Sequence, residues 1–490
     1  MSVRLSVTFI LLTALIALTI AAPAQTTSNG VSSGKDELMN QPVADFQARR
    51  RSLMQQIKDI EGKRTADARA ARAKFNQQSD LTYEPIIVVF GQEEGDIGED
   101  AKYRQKNYFA YLTGVETPSA YLILLPNEGN ETLYIPPRDL ANERWTGVQM
   151  GPGPEAAKKF GFQRVESTEK FMGDLFQAAD DPQKPIARRS KIPVIYTISP
   201  TGREAQITRE YQFANFLHQG APNTEVKDVT PLINELRKVK SDGETTLLQR
   251  AIDITGMAEI EVSRTVRPGI YEYQLEGKIL DTFVSNGAER VGFPSIVGSG
   301  INSTILHYSE NQNKIEDGAL VVVDIGAEYK YYTADITRTF PANGKFTPRQ
   351  REIYQLVLDT QKFAQSQIKP GVTKLRDMTQ IARDYMKQSP LRAKDMNGVE
   401  HTMDYFFIHG LSHYLGMDVH DVGDTSKVLQ SGEVFTIEPG IYIQSEALGV
   451  RIEDDYIMTE RGADKLSKNI PSEPNEIERL IAQGKAAKKP

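Results

Sequence analysis

Cysteine is absent from all 490 residues of the chain. This absence excludes disulfide scaffolds, thiolate zinc sites, iron–sulfur clusters and cysteine nucleophiles, so any metal here is bound through oxygen or imidazole. Histidine is scarce, with six residues, and tryptophan occurs once. Blocks of like charge are also lacking, and 58 basic residues stand against 65 acidic ones. We therefore do not expect a nucleic-acid binder that works by phosphate neutralisation.

Long apolar runs are lacking except at the N-terminus. There Arg4 precedes an apolar stretch over residues 5–21, and Ala22-Pro23-Ala24 fits the small-x-small cleavage pattern of a signal peptide. The alternative is an uncleaved membrane anchor, because the run is just long enough to span a bilayer. Polar residues begin at once after the triplet, which favours cleavage. We expect residues 1–24 to be a signal peptide, with no stable membrane span after cleavage, and export to a bacterial periplasm or the exterior.

The remaining chain has ordinary globular composition, with 39% apolar and 25% charged residues, and length for two or three domains. Residues 25–42 read as a polar leader. Over 43–230, a long charged helical pattern precedes apolar strands that alternate with helices, which predicts an α/β domain. Over 231–475, long helices separate antiparallel strand pairs, which predicts an α+β domain. Residues 476–490 are assigned to a C-terminal tail.

Two acidic residues lie in a pair of apolar strands in the second domain. Asp324 sits within ALVVVDI, and Asp335 follows in TADITRTF. Burying an ionised carboxylate in such a strand costs several kcal/mol unless a cation meets it. If the strands turn at Tyr329-Lys330, the two acids lie directly opposite each other on one face. Facing carboxylates repel, so one takes up a proton unless a metal lies between them.

Glu438 and Glu453 repeat this pattern. Glu438 ends the apolar run VFTIEPG, and Glu453 sits in VRIEDDY across a second apparent hairpin. Single salt bridges with Arg338 or Arg451 explain one or two of the four acids more readily than all four. The acids therefore read as one group with a shared cation.

Four of the six histidines lie near these acids. His409, His413 and His420 fall within IHGLSHYLGMDVHD, and His307 lies in ILHYSEN before the first acidic hairpin. A helical zinc pair at 409 and 413 is disfavoured by Gly410 and by the absence of HExxH. Four carboxylates and one imidazole carry a charge of about −4, which two divalent cations neutralise, and such hard ligands favour manganese, cobalt, iron or zinc. Two such ions ~3.5–4 Å apart can hold a bridging hydroxide as the nucleophile.

The order and spacing of these motifs resemble the aminopeptidase P branch of the pita-bread metallopeptidases. The motifs are HY at 307–308, VVVDIG with ADITRTFP, FFIHGLSHYLGMDVHD, TIEPGIY and GVRIEDD. YRQKNYFAYLTG at 103–114 and RDLANERWTG at 138–147 are similar to the N-terminal domain of that family. The resemblance implies an α/β N-terminal creatinase-like domain followed by an α+β C-terminal pita-bread metallopeptidase domain.

The resemblance also implies a role for each site residue. The implied metal ligands are Asp324, Asp335, His413, Glu438 and Glu453. The implied catalytic residues are His307, His409, His420 and Glu438. Asp335 and Glu453 would bridge the two metal ions, with manganese the usual one, and Glu438 would take the proton from the attacking water. The three non-ligand histidines would orient the scissile peptide, and Tyr442 and Arg451 match positions that support the ligand carboxylates.

The implied reaction is release of the N-terminal residue from peptides whose second residue is proline, by a homo-oligomer that is a dimer or a tetramer. The rival within the family is prolidase, a dipeptidase with the same site, although Ser412 stands where prolidases tend to carry glycine. Creatinase is disfavoured by the complete ligand set, and methionine aminopeptidase by the large N-terminal domain. A different class of protein, a non-catalytic peptide-binding protein on a peptidase fold, remains an alternative.

Two residues of the N-terminal domain stand out against the resemblance. Tyr108 occupies a position where an acidic residue is expected in bacterial relatives, so we do not expect the acidic contact between that domain and the site here. Trp145 has two interpretations: it approaches the site of a neighbouring subunit, or it is a buried anchor of its own domain.

Overall fold

The computed structural model describes residues 37–75, 81–93, 102–179, 191–199, 208–220 and 224–487. The predicted signal peptide lies outside these ranges. No helix within them is long and apolar enough to cross a membrane.

The N-terminal domain is built on one mixed sheet. Its strands are β1 (Glu37–Leu38), β2 (Gln41–Pro42), β3 (Thr82–Phe90), β4 (Tyr121–Leu125), β5 (Asn130–Ile135), β6 (Arg164–Ser167), β7 (Lys191–Thr197) and β8 (Glu225–Asp228). Its helices are α1 (Val43–Ala73), α2 (Asn107–Thr113), α3 (Glu143–Thr146), α4 (Pro154–Phe160), α5 (Phe171–Ala178) and α6 (Arg209–Gly220), and α7 (Thr230–Lys238) leads to the next domain. Six of these strands form the mixed sheet, in the order β6-β5-β4-β3-β7-β8, and β1 and β2 form a separate two-stranded pair. The predicted α/β domain is confirmed.

The last residues of the predicted polar leader are folded. β1 and β2 pair, and Leu38 and Met39 are buried in the same core as Phe46 of α1. The boundary predicted after residue 42 is therefore too late. The average composition of residues 25–42 is polar, so it did not indicate that Leu38 and Met39 pack into the core.

The C-terminal domain contains the second group of elements. Its strands are β9 (Arg290–Val291), β10 (Ile296–Ser299), β11 (Leu320–Ile325), β12 (Ala327–Tyr329), β13 (Tyr332–Thr333), β14 (Ile336–Pro341), β15 (Arg392–Lys394), β16 (Glu400–Thr402), β17 (Val434–Ile437), β18 (Gly440–Ile443), β19 (Leu448–Arg451), β20 (Asp454–Thr459) and β21 (Gly462–Lys465). Its helices are α8 (Asp242–Thr265), α9 (Glu272–Ser285), α10 (Pro348–Gln367), α11 (Leu375–Lys387) and α12 (Pro474–Ala487). These strands pair antiparallel, as in β10-β11-β14 and β17-β20-β21. The predicted α+β domain is confirmed.

The segment predicted as a C-terminal tail forms most of α12. Ile477 and Ile481 are one helical turn apart, and both are buried in the main core of the domain. Glu478 on the same helix forms ion pairs with Lys345 at 2.7 Å and Arg351 at 2.6 Å. The tail assignment is therefore wrong over residues 476–487. The basic residues at the end of the chain suggested a solvated tail, but the apolar residues before them form one face of an amphipathic helix.

The hairpin that carries the first two acids turns one residue later than predicted. Lys330 and Tyr331 form the turn, with φ of 48° and 74°, as a two-residue hairpin turn requires. Asp324 consequently lies opposite Thr337 and not opposite Asp335. The register differs by two residues, and a shift of two keeps every side chain on its face. Asp324 and Asp335 therefore still share a face, on a diagonal.

The two domains share a hydrophobic core. The cluster beneath the N-terminal sheet, which includes Phe109 and Leu112, continues into Tyr331, Leu415 and Met417 of the C-terminal domain. The segment around 415–420 is therefore held against the N-terminal domain, and this segment leads into the predicted site at His420.

Candidate metal centre

Strand ends bring the five predicted ligands together. Asp324 lies near the end of β11, and Asp335 lies between β13 and β14. Glu438 directly follows β17 and Glu453 directly precedes β20, and the pairing of these strands sets the two glutamates opposite each other. His413 enters from an extended segment whose backbone pairs with β17 at the neighbouring Tyr414. Residues 409–413 are not helical, so His409 and His413 do not form the helical zinc pair that the sequence already disfavours.

The imidazole of His413 faces three carboxylates. Its Nε2 lies 3.3 Å from Asp335 Oδ2, 3.5 Å from Glu438 Oε1 and 3.9 Å from Glu453 Oε1. Its Nδ1–H donates to the carbonyl oxygen of Tyr414 at 3.0 Å, so the neutral ring presents an Nε2 lone pair to these acids. A lone pair turned toward carboxylates is the arrangement of a metal ligand whose other nitrogen fixes its orientation.

Burial and mutual repulsion perturb the acids. Burial, followed by the charge of Asp324, raises the pKa of Asp335 well above its ordinary value. Burial, followed by the charge of Asp335, raises the pKa of Glu453 in the same way. Burial raises the pKa of Glu438 to about 7, with His413 and Arg451 opposing the rise. Without a cation between them, these groups hold protons that solvated carboxyls release.

Arg451 supports the carboxylates from behind. Its guanidinium donates to Asp324 Oδ2 at 2.6 Å, to the Tyr442 hydroxyl at 3.0 Å and to Thr337 Oγ1 at 3.1 Å. The Thr337 hydroxyl donates in turn to Glu453 Oε2 at 2.7 Å. Thr337 was not predicted as a site residue, although its spacing of two from Asp335 sets both on one strand face.

His409 lines the cavity as a neutral ring. Its Nδ1–H donates to the carbonyl oxygen of Gly410 at 2.7 Å, and its Nε2 accepts from the Tyr442 hydroxyl at 2.8 Å. Burial lowers the pKa of His409 to about 3, and the charge of Arg451 adds to this effect. Both nitrogens of His409 are therefore engaged by protein groups.

His307 and His420 line the same cavity of about 570 Å³, together with all five predicted ligands. Within the described part of the chain, neither ring forms a hydrogen bond. The ring centroid of His420 lies 4.3 Å from that of His413, and burial together with His413 lowers the pKa of His420. These two rings are the histidines open to a bound ligand.

Charged pairs fix the segment that leads to His420. Arg237 donates to Asp418 at 2.8 Å and to Asp421 at 2.7 Å, and Lys240 donates to Asp421 at 2.9 Å. Tyr108 supports this group, because the Arg237 guanidinium lies 4.9 Å from its ring centroid. The tyrosine thus contacts Arg237, which in turn binds the site segment, at a position where an acid was expected.

Glu272 is a second supporting residue that the sequence did not indicate. It is fully buried, and it accepts hydrogen bonds from Ser299, Asn302, Tyr308 and the backbone N–H of Asn313, at 2.6–3.3 Å. All of these donors lie in the segment that carries His307. A buried carboxylate with several donors is a strong local anchor, so Glu272 fixes the path of this segment.

We expect Glu272→Gln to lower kcat/KM about tenfold or more, because the amide NH₂ faces donors and leaves them unpaired, at a cost of ~1–3 kcal/mol. The effect should fall on the rate and not on the bound metal. Steady-state kinetics and metal content of the same preparation check this. Loss of metal in step with activity would contradict a role in placing His307.

The donor set fits divalent cations. Asp335, His413 and Glu453 each offer a ligand atom, and these atoms lie within 4.8 Å of one another. Asp324 Oδ1 is buried and has no hydrogen-bond partner among the described residues. An orphaned carboxylate oxygen beside repelling acids is satisfied by a hard cation. The residues present therefore fit a divalent metal centre.

Comparisons with known proteins agree with this geometry. Residues 46–186 match the family model described as aminopeptidase P, N-terminal domain, and residues 246–460 match metallopeptidase family M24. The chain is 36% identical to the Xaa-Pro aminopeptidase of Escherichia coli (strain K12), over 80% of this chain and 93% of that protein. The Haemophilus influenzae Xaa-Pro aminopeptidase is also 36% identical, over 81% and 93%.

Solved structures show the same fold. Aminopeptidase P from E. coli with the inhibitor Pro-Leu has a TM-score of 0.74 at 33% identity, covering 91% of this chain and 99% of that one. Proline aminopeptidase P II from Yersinia pestis has a TM-score of 0.73 at 32% identity, covering 90% and 100%. The chain belongs to the aminopeptidase P branch of metallopeptidase family M24 and is a metal-dependent hydrolase.

Proposed function

We propose that this enzyme is an Xaa-Pro aminopeptidase, which releases the N-terminal residue from peptides with proline in the second position. The observation that carries the proposal is the convergence of Asp335, His413 and Glu453, bordered by Asp324 and Glu438, on one cavity. The substrate class rests on relatives named Xaa-Pro aminopeptidase that align over most of the chain.

We propose that two divalent ions, manganese first among them, would be held by Asp324, Asp335, His413, Glu438 and Glu453. Bound there, the ions would supply Lewis acidity for the peptide carbonyl and would activate a water molecule as the nucleophile. A pair of ions suits the charge, because four carboxylates and one neutral imidazole carry about −4.

The remaining side chains handle protons and orientation. Glu438 accepts the proton of the attacking water, because its carboxylate lines the catalytic cavity beside His413 and His409. His307 and His420 offer free ring nitrogens to the scissile peptide and to the negative charge that develops on its oxygen. His409 is fixed by its hydrogen bonds with Tyr442 and Gly410 and lies beside Glu438. Its ring there limits the directions from which the peptide can approach Glu438.

We further propose that the enzyme is a homo-oligomer. Trp145 is 88% exposed, and Leu140 and Val148 nearby are also exposed. The interpretation of Trp145 as an anchor buried within its own domain is therefore wrong. This group of large apolar side chains in and beside α3 supports association with a second copy. Sedimentation velocity of the purified enzyme measures the extent of association.

Export remains a proposal that the sequence pattern of residues 1–24 supports. Determination of the N-terminal residue of the enzyme from its native cell tests it, since cleavage leaves a chain that begins near Gln25.

A peptide panel separates the aminopeptidase from the dipeptidase. It contains Xaa-Pro dipeptides, Xaa-Pro-Xaa tripeptides and longer peptides, and for each of them a control peptide with alanine in the second position. Every peptide is assayed with manganese, cobalt, iron and zinc in turn. We expect cleavage of tripeptides and longer peptides with proline and little cleavage of the alanine set. Cleavage confined to dipeptides would establish the prolidase alternative. No cleavage with any metal would contradict both and favour a peptide-binding protein.

A further inference from the structure

A second cavity adjoins the catalytic one. It has a volume of about 450 Å³ and lies between the domains, lined by Arg104 on one side and Arg290 with Glu328 on the other. Val419 and His420 line both cavities, and so does the chain at 291–294, with Gly292 in one and Phe293 in the other. The two spaces therefore adjoin each other at residues that line both, among them the site histidine His420.

The two arginines of this second cavity are satisfied unequally. Arg104 donates a bifurcated hydrogen bond to Glu328, from its Nε to Oε1 at 2.9 Å and to Oε2 at 3.1 Å. Arg290 Nε lies 3.4 Å from Glu328 Oε1. Its Nη2 has only long contacts, at 3.4 and 3.5 Å, with two backbone carbonyl oxygens. The Nε of Arg290 is buried and has no hydrogen-bond partner among the described residues.

The charge of the second cavity is positive by about one. Arg104 and Arg290 share a single carboxylate, Glu328. The other acid in the lining, Asp418, is already bound by Arg237 and by Asn107. An incompletely paired guanidinium in a partly enclosed space attracts an anion, and its planar set of donors matches a carboxylate.

We propose that Arg290, assisted by Arg104, binds the C-terminal carboxylate of short peptides whose N-terminal residue lies at the metal centre. This inference rests on the proposed aminopeptidase function and adds to it a preference for short peptides with a free carboxylate. The peptide chain runs from the catalytic cavity past Val419 and His420 to the guanidinium. Because an extended residue spans about 3.3–3.6 Å, only peptides within a narrow range of lengths place their carboxylate there.

The test compares Xaa-Pro tri-, tetra- and pentapeptides as free acids and as C-terminal amides, for the wild type, Arg290→Gln and Arg290→Lys. At the peptide length that places the carboxylate at Arg290, we expect the wild-type kcat/KM to be about tenfold higher for the free acid than for the amide. The difference should lie in KM. Arg290→Gln should bring this ratio close to one while its kcat on the amide stays unchanged. Arg290→Lys should give an intermediate ratio, because lysine keeps the positive charge but lacks the planar set of N–H donors that matches a carboxylate.

Arg461→Gln is the matched control, since Arg461 is exposed and remote from both cavities. An equal rate for acid and amide at every length overturns the subsite and leaves the proposed function in place. So does a preference that is the same at all lengths or that persists in Arg290→Gln. If Arg290→Gln does not fold, the wild-type length series alone decides. Failure to cleave any of the peptides contradicts the proposed function and the subsite together.

Discussion

Glu438→Gln is expected to lower kcat by about 10³-fold or more while the protein stays folded. The Glu438 side chain is 17% exposed, and it faces His413 Nε2 at 3.5 Å and His409 Nδ1 at 3.7 Å. Glutamine keeps the size of the side chain but accepts no proton from water. A factor of 10³ corresponds to about 4 kcal/mol of transition-state stabilisation, which is within what a positioned proton acceptor and ligand supplies.

In the absence of metal, the Glu438→Gln variant should be no less thermally stable than the wild type. Glu438 is one of several acids around the cavity that repel one another, and removal of one charge relieves that repulsion. Glu446→Gln is the matched control, because among the described residues Glu446 forms its ion pair with Arg349 and does not line the cavity. Steady-state kinetics with saturating metal and thermal unfolding of both variants measure the two effects. Near wild-type turnover of Glu438→Gln would remove this residue from the mechanism.

Features set by near neighbours in sequence were predictable. Ser241, a residue type favoured before the first turn of a helix, forms a capping box with Glu244 at the start of α8. The four acids were detected because carboxylates are costly in apolar strands. Alternation sets the strand face on which the acids of each hairpin lie. The meeting of the two hairpins and the approach of His413 rest on pairing between distant segments, Thr337 with Glu453 and Tyr414 with Phe435. Local rules therefore reach as far as each pair of acids.

Features set by packing between distant segments were not predictable. The turn at Lys330-Tyr331 lies where Tyr331 is buried against the N-terminal domain and accepts a hydrogen bond from the backbone N–H of Gln105. That contact joins residues 226 positions apart. The cavity of Arg290 exists for the same reason, because Arg104 comes from the other domain. Short apolar patterns carry no information about either.

Supporting polar residues form an intermediate case. Thr337 and Glu272 are ordinary residues of a strand and a helix in the sequence, and burial gives them their roles. Thr337 was detectable in principle, since it shares a strand face with Asp335. Glu272 was not, because its donors come from a segment 27 to 41 residues away.

His413→Ala and His420→Ala should separate metal binding from catalysis. His413 presents its Nε2 to three carboxylates, so its loss removes a ligand and leaves repelling acids without their imidazole. We expect divalent-metal affinity to fall by about tenfold or more, the scale of effects seen even for residues one shell further out. His420 contacts His413 only ring to ring, so its alanine variant should bind metal as the wild type does.

Metal per chain after mild dialysis, measured by elemental analysis, and manganese titration by calorimetry give the affinities without reference to activity. His420→Ala should nevertheless lose kcat by about 10²-fold, because its ring is one of two that are open to the peptide. His401→Ala is the control, since His401 pairs with Asp395 outside the cavity. If His420→Ala loses metal while His413→Ala keeps it, the division between ligand and non-ligand histidines is reversed, and the orientation of the His413 ring by Tyr414 has no bearing on metal binding.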